Sequence, residues 1–201
     1  MREAVIVSTA RTPLTKAHRG EFNITPGPTL AAFAVRAAVD RSGVDPSLIE
    51  DAILGCGYPE GMTGRNVARQ AIVRAGLPIG IAGTTVNRFC ASGLQAIAMA
   101  AGRIVVEGVP AMIAGGVESI SQIRTRSATD SGDSGMDPWI VEHKPELYLS
   151  MIETADIVAS RYGIGREAQD RFSAESQRKT EAAQVAGRYR DEIVSLSLIH
   201  I

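Results

Sequence analysis

The stretch from Ser92 to Gly116, SGLQAIAMAAGRIVVEGVPAMIAGG, carries Arg103 and Glu107 as its only charged residues. Leu94, Ile97, Ala98, Ala101, Ile104 and Val105 spread around every side of a helix running from Ser92 to about Glu107. A helix without a polar face is stable only where other layers of protein enclose it. The pattern therefore predicts a helix buried all round, innermost in a multilayered fold. In an isolated domain the face turned away from its own sheet would meet water, so the pattern also calls for a partner domain.

The flanking segments supply a sheet for that helix. Ala4 to Val7 reads as a strand, and Pro28 with Thr29 opens a helix in which Leu30, Phe33, Ala34, Ala37 and Ala38 recur at helical spacing until Gly43. Asp45 and Pro46 have the character of a cap and first position of a short turn, and Ala52 to Cys56 follows as a second strand. After the glycine-bearing loop GYPEGMTGRN, Val67, Ala68, Ala71, Ile72 and Ala75 share one helical face that ends at Gly76 and Pro78. Ala82 to Val86 and Pro110 to Ala114 complete four strands. Strands separated by helix-length connections pair in parallel, which places the chain in the α/β class.

Beyond Ser121 the polar stretch SQIRTRSATDSGDSGMDP reads as a domain boundary. Two helices are expected after it, Met151 to Tyr162 and Arg166 to Ala186, the second heavily charged with a narrow apolar stripe at Ala168 and Phe172. Gly187 ends the second, and Glu192 to Val194 returns as a strand. The expected division is residues 1–120, 121–194 and a short tail, 195–201.

Composition removes several functional classes. The 201 residues are 45% hydrophobic and 21% charged, as in globular proteins, and a formal net charge of -1 gives no electrostatic case for nucleic acid or an anionic membrane. Cys56 and Cys90 form no CxxC unit, and His18, His143 and His200 complete no ligand spacing, so no metal is expected. A reducing, cytoplasmic setting suits two isolated cysteines. The opening MREAVIVSTARTP is of strand length rather than signal-peptide length, and no run of about 18 apolar residues predicts a membrane span. GDSG at Gly132 to Gly135 is a coincidence in a polar connection, and Gly55, Gly57 and Gly61 miss the dinucleotide-binding spacing.

The segment with most chemical content is TTVNRFCASGLQA, Thr84 to Ala96. A thiol reacts as thiolate, and an ordinary one is only a few per cent ionised at neutral pH. Cys90 falls at the turn from strand to helix, where backbone N–H groups and the helix dipole favour an anion and could hold the oxyanion of an attacked thioester. Gly93 would leave the backbone beside the thiol uncovered for an acyl group, and Ala91 and Ser92 are small. A lone cysteine before an apolar helix is, however, commonly a small core residue, and spacing alone does not settle its role. Cys56, at a strand end, reads as core, as do Met99 and Met112. His18, His143 and the basic residues Arg166, Arg171, Arg178 and Lys179 read as solvent-facing.

VNRFCASGLQA resembles the acyl-enzyme cysteine motif of thiolases, the acetyl-CoA acetyltransferases and 3-ketoacyl-CoA thiolases. IVSTARTP, GRNVARQAIVRAGLP, AMIAGGVES with Glu118 and Ser119, and YGIGREAQDRFSAESQRKTEAAQ resemble the same family in the same order. The resemblance implies an α/β/α layered N-terminal domain with a mixed, largely parallel sheet, followed by a mostly helical loop domain that helps bind coenzyme A. It makes Cys90 the nucleophile that accepts the acyl group, with its backbone N–H in the oxyanion hole. Met151 falls where the family often lines its acyl pocket within His-Met-Gly, although Ser150 and Ile152 flank it here. The family's Asn-Glu-Ala-Phe, Gly-His-Pro and Cys-x-Gly segments, which belong to its C-terminal half, are absent.

The tail departs from the family after DEIV, so Ser195 to Ile201 reads as foreign and His200 as non-catalytic. The implied function is exchange of acyl groups between coenzyme A thioesters through a cysteine thioester, in a truncated chain expected to be inactive in condensation. The alternative is a non-catalytic thiolase-like binding or assembly module. Acyl-CoA and coenzyme A are the implied substrates, with no permanently bound cofactor, no nucleic acid or membrane partner, and a homodimer or homotetramer for the full-length parent.

Overall fold

The computed structural model describes residues 2–123 and 136–197. The chain divides into two compact units, Met1–Arg124 with Asp191–Ile201, and Thr125–Arg190.

In the first unit, helix α1 (Gly27–Ser42) has proline in its first turn and ends at Gly43, whose φ of 66° is the left-handed conformation that glycine adopts without strain. Strand β1 (Ile49–Gly55) follows, then helix α2 (Val67–Arg74), strand β2 (Ala82–Val86), helix α3 (Ser92–Gly102) and strand β3 (Ala111–Gly116). The strands form a parallel sheet in the order β2-β1-β3, with Asp51 to Gly55 of β1 opposite Ala82 to Val86 and opposite Met112 to Gly116. Asn66 fastens α2 to β2: its Oδ1 accepts the Arg69 N–H and the Thr85 hydroxyl, and its Nδ2 donates to the Gly83 carbonyl.

β1 is buried on both faces, which explains its unbroken apolar run AILG. Ala52 packs with Val35, Val39, Ile72, Ile81 and Ile113, and Leu54 with Ala31, Ala68 and Ala71. Ile53, pointing the other way, packs with Ala96 and Ala100 of α3. Helices α1 and α2 thus cover one face of the sheet and α3 the other, an α/β/α layering.

Several expectations are corrected. Ala4 to Val7 forms no strand: Val5, Ile6 and Val7 are 70%, 75% and 63% exposed, and only Arg11 makes a bridge, to Ile193. Glu192 to Val194 contributes no more than that bridge. The β-branched run satisfies strand propensity, but a strand also needs a neighbouring ladder, and among the described residues β3 pairs with β1 alone.

Helix α3 is not buried all round. Ser92, Ala96 and Ala100 are buried against the sheet, while Leu94 is 73% exposed and Val106, in the π-turn Arg103–Glu107 that follows the helix, 83%. Within the first unit, the described residues supply a layer on one side of α3 only. The 19-residue stretch Phe89–Glu107 is also apolar enough, by length and composition, to cross a membrane, which the run-length expectation passed over because Arg103 and Glu107 interrupt it. Its Arg103 pairs with Asp51 of β1 at 3.0 Å and with Glu107 at 2.9 Å, and its alanine face packs on Ile53, so one side of the helix is joined to the sheet of the first unit.

The second unit contains helices α4 (Pro138–His143), α5 (Met151–Arg161) and α6 (Arg166–Val185). Ser150 and Glu153 close a reciprocal capping box at the start of α5. On α6, Arg166 pairs with Asp170, Arg171 with Glu167, and Arg178 and Lys179 with Glu175, so the basic residues form a solvated face. The expected stripe on α6 is not buried, since Phe172 is 78% exposed. GDSG and His200 lie outside the described residues.

Candidate active site

The carboxyl ends of the strands converge on the turn that carries Cys90. Between β2 and α3 the backbone makes one short 3-10 turn, Phe89–Ala91, and then enters α3 without a side-chain cap. Phe89 has a φ of 47°, a left-handed conformation strained for an aromatic residue. Four hydrogen bonds hold it there, one of them from the Ser92 backbone N–H to the Phe89 carbonyl. The Phe89 N–H donates to Asn87 Oδ1 at 2.8 Å, the Ser92 hydroxyl donates to the Phe89 carbonyl at 2.6 Å, and the Arg88 N–H donates to the Ser92 oxygen at 2.8 Å. Cys90 is exposed at the crest of this turn, whereas Cys56 is buried.

Gly55, the last residue of β1, lets the start of α3 approach the sheet. A Cβ there would stand 2.3 Å from the Ser92 carbonyl carbon and 2.6 Å from the Gly93 nitrogen. A Cβ on Gly93 itself would point into open space, with no atom within 4 Å. On the other side of the turn, Glu118 follows β3 and reaches back to the loop after β1. Its carboxylate accepts the Gly57 N–H at 2.8 Å, the Tyr58 N–H at 3.0 Å and the Cys56 thiol at 3.7 Å. The Tyr58 ring meets Phe89 edge-on, with centroids 6.5 Å apart.

Cys56 lies in a different environment from Cys90. Burial, and after it the negative charge of Glu118, push the Cys56 thiol above its ordinary pKa. As pH rises the unfolded thiol ionises first, the unfolded state then holds fewer protons than the folded one, and stability is lost from about pH 8.5 upward. Urea midpoints compared at about pH 8 and pH 10 should fall less in Cys56→Ala than in the unaltered chain; an equal fall in both would remove this role for the thiol.

Among the described residues no group of three or more His, Cys, Asp or Glu is placed to hold a metal ion. His18 is exposed, with its N–H on Ser121 Oγ, and His143 stacks on Trp139 at 4.3 Å. Met151, the first residue of α5 in the second unit, is 76% exposed. Met112 packs against the Ile53 cluster, while Met99 is 38% exposed.

The family model for the thiolase N-terminal domain matches residues 4–200. The chain belongs to the thiolase family. It is 40% identical over 198 residues to a 3-ketoacyl-CoA thiolase of Bacillus subtilis, covering 98% of this chain and 50% of that protein. An acetyl-CoA acetyltransferase of Cupriavidus necator is 40% identical over 202 residues, covering 96% and 51%. A beta-ketoadipyl-CoA thiolase of Acinetobacter baylyi is 36% identical over 211 residues, covering 98% and 52%. This thiolase chain spans about half the length of the curated relatives it matches.

Sequence reasoning singled out Cys90 and Gly93 but took Ser92 only for a small residue, and it did not recognise Gly55 or the contacts of Glu118. For Ser92 a signal existed: a serine three and four residues after backbone groups at a helix start is spaced to bond both of them. For Glu118 the sequence offered an acid just past a glycine-rich strand end and nothing that named its partners.

Proposed function

We propose that this chain carries the nucleophilic half-site of a thiolase, in which Cys90 accepts an acyl group from an acyl-CoA thioester. The observation that carries the reading is the placement of Cys90: exposed, at the carboxyl edge of the sheet, in a strained turn that leads directly into a helix with no side-chain cap. The Cys90 sulfur attacks the thioester carbonyl carbon, the carbonyl electrons move onto oxygen, and the Cys90 backbone N–H, which the family pattern puts in the oxyanion hole, stabilises that charge. Collapse reforms the carbonyl and breaks the bond to the coenzyme A sulfur, which leaves carrying the proton that Cys90 gave up. A second coenzyme A or another acceptor reverses the step.

Gly93 keeps open the space through which the acyl group approaches, and Met151 serves as an acyl-pocket residue by its match to the family pattern. Acyl-CoA and coenzyme A are the substrates, no resident cofactor takes part, and two unbridged cysteines suit the cytoplasm. Condensation needs a base to remove a proton from the methyl carbon of acetyl-CoA. The family carries that base in its C-terminal half, so the step assigned to the residues described here is acyl acceptance, and a homodimer or homotetramer is expected of the whole protein.

The exposed apolar residues of α3 favour a second reading, a thiolase-like module whose business is association. Alkylation with iodoacetamide, mapped by peptide mass, separates the two. The nucleophile reading expects Cys90 to be labelled well ahead of Cys56 and about tenfold faster than in the urea-unfolded chain. A folded chain in which Cys90 reacts no faster than when unfolded supports the association module instead.

A further inference from the structure

Ser92 differs from the other small residues around the thiol in being tied to the protein at both ends. Its backbone is pressed against β1, where only a glycine at position 55 leaves room for it, and the residue is 3% exposed. Its hydroxyl turns back into the turn, accepting the Arg88 N–H at 2.8 Å and donating to the Phe89 carbonyl at 2.6 Å. Both bonds close around Phe89, whose φ of 47° lies outside the broad allowed regions of an L-residue, and they add to the bonds from the Phe89 N–H to Asn87 Oδ1 and from the Ser92 N–H to the Phe89 carbonyl. Cys90 is the next residue, so any relaxation of Phe89 swings the sulfur.

We propose that Ser92 is a positioning residue for the acyl-transfer reaction: its hydroxyl locks Phe89 in the left-handed conformation and so fixes the direction of the Cys90 sulfur relative to the turn. The chain of restraint runs from Gly55 on the sheet, through the Ser92 backbone, to the Ser92 oxygen and on to Phe89. Ser92 touches neither substrate nor reacting atom. It holds the strain that the sheet makes possible, which is how a flexible turn becomes a preorganised one. This inference rests on the reading of Cys90 as nucleophile.

The test measures Cys90 and Cys56 alkylation rates side by side, from about pH 6 to 9, in the unaltered chain, Ser92→Ala, Phe89→Gly and the double variant. Glycine takes a positive φ without strain, so it needs no lock. Ser92→Ala should slow Cys90 by about tenfold while Cys56 stays as slow as before, because displacement of a reacting group by an ångström or less has effects of that order. In the Phe89→Gly background the same change should cost no more than about twofold.

Equal losses in both backgrounds, or an unchanged Cys90 in Ser92→Ala, overturn the positioning role. So does Cys56 labelling that rises to the unfolded-chain rate in both Ser92→Ala variants, which would make Ser92 simply a residue of the core. A Cys90 that is unreactive in the unaltered chain removes the nucleophile reading and this inference with it, whereas a fast Cys90 indifferent to Ser92→Ala removes the inference alone.

Discussion

Cys90→Ala is expected to abolish acyl incorporation from acetyl-CoA or acetoacetyl-CoA, a loss of roughly 10⁴-fold or more, as removal of a covalent nucleophile generally produces. The unaltered protein, quenched in acid and digested, should carry the acyl group on the peptide that contains Cys90, and hydroxylamine should release it as a thioester would. The loss should be near complete because, among the described residues, neither Cys56 nor Ser92 can substitute. Cys56 is 1% exposed, with its ionisation opposed by burial and by Glu118. The Ser92 hydroxyl is occupied in donating to the Phe89 carbonyl, and an alcohol is in any case a far weaker nucleophile near neutral pH than a thiol without a base beside it. Undiminished acyl labelling in Cys90→Ala would end the proposed mechanism, whatever the family to which the chain belongs.

Much of the fold was legible because burial leaves periodic marks. AILG in β1 reads as a strand covered on both faces, and Val67, Ala68, Ala71 and Ile72 mark the face that α2 turns to the sheet, each of them fully buried. Proline and glycine placed the ends of α1, and Gly43 sits in the left-handed conformation that a helix C-terminus commonly requires. Elements whose form depends on a neighbour were not legible in the same way. Val5, Ile6 and Val7 have strand composition yet stay exposed, and Leu94 and Val106 stand in solvent although their helix reads as enclosed. Composition reports what a segment could bury, not whether a covering layer is present.

The site divides along the same line. Cys90 was legible from its place between a strand and an apolar helix, and more so from the motif around it. The features that make the turn rigid are specific contacts without periodicity: the left-handed φ of Phe89, the two bonds of the Ser92 hydroxyl, and the grip of Glu118 on Gly57 and Tyr58. Glycine is the partial exception. Three glycines, Gly55, Gly93 and Gly116, surround the turn, and each answers to a different constraint: close approach at Gly55, open space at Gly93, and at Gly116 the Gly55 carbonyl oxygen, 2.9 Å from where a Cβ would lie.

Of these, Gly55 supports the largest expected effect on stability. In Gly55→Ala the new methyl would meet the Ser92 carbonyl carbon at 2.3 Å, the Ser92 oxygen at 2.5 Å and the Gly93 nitrogen at 2.6 Å. All three are backbone atoms, so no side-chain rotation relieves the clash, and either α3 must lift from the sheet or β1 must shift. β1 is poorly placed to shift, because it is the central strand and pairs with β2 and β3 along its length. The strain therefore falls on the helix start, and overpacking of this kind costs about 3 kcal/mol. Lifting Ser92 also loosens its hold on Phe89, so Cys90 alkylation should slow together with the fall in stability. Gly102→Ala supplies the contrast, since a Cβ there meets nothing within 4 Å and lies within a helix. Replacing that glycine should stabilise the chain by about 0.5–1 kcal/mol, by helix propensity alone. Urea midpoints of the two variants should move in opposite directions from the unaltered chain, and a Gly55→Ala midpoint at or above the unaltered value would refute the close approach of α3 to the sheet on which the position of Cys90 depends.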